Sequence, residues 1–338
     1  MKVTIFGDIH YGNKGNSNIF NDDCDEYLNF LIDESKKQDI DTCIFLGDWF
    51  HSRNSVNIGT LKAGINGIRK LSQSFKKVVL ILGNHDLYYR DSLKTHSLEW
   101  VKEFPNVQLI DTITTDGDFT YVPWIVGDMK KDVAKINTPF VFGHFELPGF
   151  LLNSMVKMPD IGQVSGETFS KNIQYVFSGH FHKRQQQITK SGTEIHYVGN
   201  AFPHNYSDAN DLSRGFCILD TTGEVEYINW QDCPRYITIS LSELLNDPFN
   251  TLTDKTYCKA KLDLNLEVED VLFIREMMIE TFNCREFAFV HEKKNHDFYE
   301  ELGEMEFETV DQIVMKSLEN IESKSFDKRK LMEIYVSL

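Results

Sequence analysis

The sequence predicts an α/β fold with a second sheet, and three features carry that prediction. Five short apolar runs each end in glycine followed by a metal-capable polar side chain. Stretches with helical spacing separate the first three runs. Beyond residue 182 the pattern changes to strand and turn signals.

The five runs are VTIFGDIH (3–10), CIFLGDWF (43–50), VVLILGNHD (78–86), FVFGHFE (140–146) and YVFSGHFH (175–182). They are apolar on both parities, as strands buried on both faces are. Residues 27–37 and 61–74 have the spacing of crossover helices. In such sheets ligands gather beyond the carboxyl ends of the strands, where every polar cluster falls. After His182, EIHYVGN reads as a strand, and GFCILD and VEYINW read as a hairpin turning at Thr-Gly; these strands predict the second sheet. From Pro234 a smaller unit is expected, with strand TYCKAKLDL, helix EDVLFIREMMIETF and strand REFAFV. An acidic stretch follows over 297–308. Two amphipathic helices then close the chain: Val310, Ile313, Val314, Leu318 and Ile321 form one stripe, and Leu331, Ile334, Tyr335 and Leu338 the other, with Thr309 and Ser325 as caps.

Composition narrows the function classes. The 338 residues are 41% hydrophobic and 25% charged, which excludes a disordered or fibrous chain. No apolar run approaches the ~18 residues of a membrane span, and the first residues, MKVTIFGDIH, carry neither a basic leader nor a cleavage site, so the cytoplasm is expected. The six cysteines include no C-x-x-C pair and read as free thiols. The formal charge of −16 counts against a broad basic nucleic-acid face. Residues 234–338 hold 13 basic and 22 acidic side chains, so part of that imbalance sits away from the polar clusters. Metal clusters also demand carboxylates, and charge alone therefore does not exclude a phosphodiester substrate.

The clusters supply Asp8, His10, Asp48, Asn84, His144, His180 and His182. On a strand or extended loop, residues i and i+2 project the same way, so Asp8/His10 and His180/His182 are expected to act as pincers. Carboxylates, an amide and imidazoles without thiolate suit manganese, iron or zinc better than calcium or magnesium. Seven donors exceed the needs of one open site; two ions about 3.5–4 Å apart sharing a carboxylate would use them. A lone Gly-Asp or Gly-His is ordinary turn chemistry. Five such clusters, each directly after a strand-like run, are not.

In the order GDxH, GD, GNHD, GH and GHxH, these clusters resemble the signature of the calcineurin-like metallophosphoesterases. GDIHYG, GDWFHS, GNHDLYYR and GHFH together resemble its DNA-repair branch, the nuclease subunit of SbcCD, and especially compact phage-encoded recombination nucleases. The resemblance implies a four-layer αββα sandwich over 1–233, a small α+β capping domain that contacts DNA over 234–296, an acidic linker over 297–308, and a C-terminal helix pair over 309–338 that docks on an SMC-like coiled-coil ATPase of the SbcC type. It implies a homodimer. It implies two divalent ions, manganese first with iron, zinc or magnesium as alternatives: one on Asp8, His10, Asp48 and His182, the other on Asp48, Asn84, His144 and His180. His85 is expected to stabilise the transition state or protonate the leaving oxygen, Asp86 to orient it, and His51 to guide the DNA end. Tyr11 and Gly199-Asn200-Ala201 depart from the family pattern and are expected to bear on substrate shape. Lys14, Arg53, Arg90, His204 and Arg214 fall on loops that can face phosphates. The expected activity is metal-dependent DNA hydrolysis as exonuclease or endonuclease in repair and recombination. The rivals are a phosphoesterase acting on small nucleotides or phosphoproteins, and a non-catalytic recombination scaffold.

Overall fold

The computed structural model describes residues 1–151, 157–160 and 164–290. Its strands run in chain order as β1 (Lys2–Phe6), β2 (Thr42–Phe45), β3 (Lys77–Ile81), β4 (Val107–Ile110), β5 (Thr114–Asp116), β6 (Phe119–Val122), β7 (Phe140–His144), β8 (Tyr175–Gly179), β9 (Gln185–Ile188), β10 (Glu194–Tyr197), β11 (Gly215–Asp220), β12 (Val225–Asn229), β13 (Arg235–Ser240), β14 (Thr256–Lys261) and β15 (Glu286–Val290). They form a six-stranded sheet ordered β12-β11-β1-β2-β3-β4, a second ordered β5-β6-β7-β8-β10-β9, and a three-stranded sheet ordered β13-β14-β15. The fold is α/β with two mixed sheets.

The five motif strands divide between the large sheets. β1, β2 and β3 lie side by side and parallel in the first, and β7 pairs parallel with β8 in the second. The β11–β12 hairpin forms at Thr-Gly as expected, but it belongs to the first sheet, where β11 runs antiparallel to β1. Apolar alternation reports burial and leaves the partner strand open, so the sequence pattern could not assign it.

Packing follows from which face each residue takes. Val3, Ile5, Ile44, Val79 and Ile81 of the first sheet meet Phe119, Tyr121, Phe140, Phe142 and Phe177 of the second in one buried cluster. The other face of the first sheet, with Phe6, Phe45 and Leu80, is covered by two helices. Helix Asn18–Lys37 starts where the Ser17 hydroxyl accepts the Phe20 N–H, and buries Phe20, Cys24, Tyr27, Leu28, Leu31 and Ile32 at three- and four-residue spacing. Helix Ile58–Ser74 is capped by Asn57 and buries Gly64, Gly67, Ile68 and Leu71. The outer face of the second sheet is covered more thinly than the αββα expectation. Among the described residues it packs on short turns such as Lys130–Val133 and on loop residues Phe145, Phe150 and Phe169.

The three-stranded sheet has its own buried cluster, in which Leu241, Leu244, Cys258 and Phe287 join Met278 of helix Val268–Phe282. Arg285 joins it to the first long helix by two bonds to Asp23, of 2.6 and 2.7 Å. All six cysteines are buried free thiols. No helix among the described residues is long and apolar enough to cross a membrane. The acidic stretch 297–308 and the helix pair 309–338 lie outside the described residues.

Candidate metal centre

The end of β7 and the loops after β1, β2, β3 and β8 bring all seven predicted ligands to one end of the sandwich. They do so by tighter turns than an extended pincer. Asp8, His10, Asp48 and His180 all have positive φ, between 51° and 85°, a conformation that side chains other than glycine rarely adopt and that concentrates at functional sites. The turns interlock: Asp8 N–H donates to Gly47 O, and His10 N–H to Asp48 O. Gly47 has φ 108°, and a Cβ there would sit 2.5 Å from His144 Nδ1. Glycine is therefore required at that position.

Two groups of donors share Asp48. His10 Nε2 lies 3.2 Å from His182 Nε2, 3.6 Å from Asp48 Oδ2 and 4.0 Å from Asp8 Oδ1. On the other side, Asn84 Oδ1 lies 2.9 Å from both His144 Nε2 and His180 Nδ1, and His144 Nε2 is 3.5 Å from Asp48 Oδ2. His144 Nδ1 donates to Leu46 O at 2.7 Å, which aims Nε2 at Asp48.

These residues fit divalent cations. Asp8, Asp48 and Asp86 are all buried together. Burial, reinforced by the neighbouring Asp48 carboxylate, pushes Asp8 up to about 8 and Asp86 up to about 7. Against burial, Asp48 pushes His144 up to about 9, while His144 and His10 hold Asp48 well below the ordinary carboxylate range. Without cations, the cluster balances its carboxylates with a proton on Asp8 and a charge on His144. Bound cations would supply that charge instead.

The residues around the ligands depart from expectation in several places. Asp86 does not orient His85. Its Oδ2 accepts the N–H groups of Asp48 and Gly83 at 2.9 Å, and its Oδ1 accepts that of Trp49 at 2.9 Å. A buried carboxylate satisfied by backbone donors holds loops in place. The His85 ring is held by His51, whose carbonyl accepts from Nδ1 at 2.6 Å and whose ring stacks on it with centroids 5.4 Å apart. Tyr11 is fully buried, donates to Asp25 at 2.7 Å and packs on Trp49, so it supports the loop and does not shape a substrate surface. Asn200 is likewise buried, bonded to Asp208 at 3.1 Å.

Of the five loop cations, Arg214 is buried between Asp208 and Asp211, at 3.2 and 2.7 Å, and Lys14 lies 4.7 Å from the Tyr236 ring. Arg53 and Arg90 stay at the surface, near enough that Arg90 adds to burial in lowering Arg53. His204 is 1% exposed, with ring centroids 5.5 Å from His10 and 5.3 Å from His182. Sequence reasoning missed Glu146, 3.5 Å from His180 Nε2. The signal was present: GHFE carries Glu146 at the spacing that gives GHFH its second histidine. A cleft of about 690 Å³ opens beside 180–184, with 207–214 as its other wall.

The chain is 29% identical over 238 residues to "Exonuclease subunit 1" of Enterobacteria phage T4, covering 68% of this chain and 67% of that protein. It is 25% identical over 284 residues to "Putative phosphoesterase 244L" of Invertebrate iridescent virus 6, covering 78% and 95%. Among solved structures, it is similar to a dimetal phosphatase from Danio rerio, with TM-score 0.41 and 10% identity over 64% of this chain and 91% of that one. The family model "Calcineurin-like phosphoesterase" matches residues 1–184, more than half of the chain. The protein therefore belongs to the calcineurin-like phosphoesterases and is a metal-dependent hydrolase.

Proposed function

We propose that this phosphoesterase is a two-metal nuclease that hydrolyses phosphodiester bonds in DNA. The observation that carries the reading is the position of Asp48 Oδ2, 3.6 Å from His10 Nε2 and 3.5 Å from His144 Nε2. Asp8, His10, Asp48 and His182 would hold one cation, and Asp48, Asn84, His144 and His180 the other. Two divalent cations, manganese before iron, zinc or magnesium, would activate a water and offset charge on the phosphate oxygens.

The chain's own groups do the rest. With Nδ1 donating to the His51 carbonyl, His85 keeps Nε2 for the departing sugar oxygen. His51 flanks it and guides the DNA end. Asp86 keeps the Asp48 and Asn84 loops in register through their backbones. Arg53 and Arg90 offer two cations to substrate phosphates.

The T4 relative, named as an exonuclease subunit, supports a DNA substrate and a partner. On this reading 234–296 caps the site and contacts DNA, 297–308 links, and 309–338 docks on an SMC-like coiled-coil ATPase. The protein acts as a homodimer in recombination or repair, in the cytoplasm. Digestion of end-labelled single- and double-stranded DNA with added manganese tests the reading, alongside cyclic and mononucleotides. Cleavage of DNA in preference to nucleotides is the expected result; hydrolysis of the small substrates alone overturns it.

A further inference from the structure

We propose that His204 is a fifth protein ligand on the cation held by Asp8, His10, Asp48 and His182. This rests on the two-ion reading above. Both ring nitrogens of His204 are buried and neither has a hydrogen-bond partner among the described residues. A buried imidazole left this way costs free energy, and persists where something else satisfies it. Since neither nitrogen reaches the surface, that partner comes from the interior and is not a substrate phosphate.

The surroundings hold the ring without using its nitrogens. The His204 N–H donates to Asp208 Oδ2 at 2.9 Å, the same oxygen takes Asn200 Nδ2 at 3.1 Å, and Asp208 Oδ1 takes Arg214 at 3.2 Å. Phe20 and Phe202 pack against the ring, each with centroids 5.2 Å away. One nitrogen each from His10, His182 and His204 lie within 4.8 Å of one another. Ligand nitrogens sit about 2.1 Å from a transition metal, so a small ring rotation lets all three meet one ion.

The first ion then has three imidazoles and two carboxylates. The second has two imidazoles, an amide and the shared carboxylate. The extra nitrogen favours a transition metal over magnesium at the first position and binds it more tightly.

The test compares the wild type with His204→Phe, which keeps a ring without nitrogens, and with His204→Ala. Manganese binding is followed by calorimetry, by electron paramagnetic resonance and by the rise in Tm on adding manganese. Metal-free His204→Phe is expected to be at least as stable as the wild type, because an unsatisfied polar group has gone. It binds one manganese as the wild type does and the other at least about tenfold more weakly, with a smaller Tm rise and loss of the spin-coupled two-ion signal. His204→Ala shows the same weakened ion, so the result stands even if the phenylalanine does not fit. Wild-type affinity for both ions in both variants overturns the proposal. A wild type that binds one ion overturns the two-ion reading instead; His204 is then judged by whether that single ion weakens in the variants.

Discussion

The carboxylate of Asp86 accepts the backbone N–H of Asp48 at 2.9 Å, tying the loop after β3 to the loop after β2. The same side chain takes the N–H groups of Gly83 and Trp49. Asp86→Asn puts a donor where only donors point. It is expected to lose about 1–3 kcal/mol of stability and about 10–100-fold in metal affinity. Denaturant unfolding and manganese calorimetry check this. Normal stability and metal binding with abolished turnover would make Asp86 a catalytic group after all.

If the His85 ring serves proton transfer as proposed, His85→Ala is expected to keep both metals and to lose about 10²–10⁴-fold in kcat. His51→Ala keeps the carbonyl that anchors His85, so its kcat falls far less. Steady-state kinetics on DNA, with metal content measured in parallel, separates the two. Equal losses would show that the His51 side chain, and not its backbone, does the work.

Asp48→Ala is expected to deplete both ions, whereas His10→Ala depletes one, since Asp48 Oδ2 faces both donor groups and His10 only one. Metal analysis after equilibration with manganese decides it. Equal retention in the two variants removes Asp48 from the bridging role.

The raised pKa values of Asp8, about 8, and His144, about 9, predict how the metal-free protein responds to pH. Both folded values exceed their unfolded values of 3.8 and 6.5, so the stability they contribute is full below those values and is lost as pH rises through 8 and 9. His10, His182 and His204 are lowered by burial and have the opposite sign, but in the unfolded chain they are half titrated at 6.5 and their effect dies away within about a unit above it. Between pH 7 and 9, metal-free stability should therefore fall, while manganese affinity rises as protons leave the ligands. Calorimetry in buffers of different ionisation enthalpy counts those protons. A flat affinity and no proton release contradict the assignment.

Much of this site was legible because its strands announce themselves: β1, β2, β3, β7 and β8 each fall on an apolar run, and the ligand loops follow directly. The conformation of those loops was not legible. An i, i+2 pincer suffices to suggest Asp8 and His10 as partners, but both adopt positive φ, which residue type alone does not reveal. Asp86 was misassigned because adjacency to His85 in sequence says nothing about which backbone donors surround its carboxylate. His204 and Arg214 read as loop residues, and only the tertiary structure buries them. The sheet taken by the β11–β12 hairpin depended on long-range pairing with β1, which local patterning does not encode.

The most direct test is anomalous diffraction at the manganese absorption edge from crystals grown with the metal. Two peaks about 3.5–4 Å apart are expected, with the Asp48 carboxylate between them. His10, His51 and His85 also bring nitrogens within 4.8 Å of one another. A single peak, or one centred on those three histidines and away from Asp48, would rule out a two-ion site bridged by Asp48.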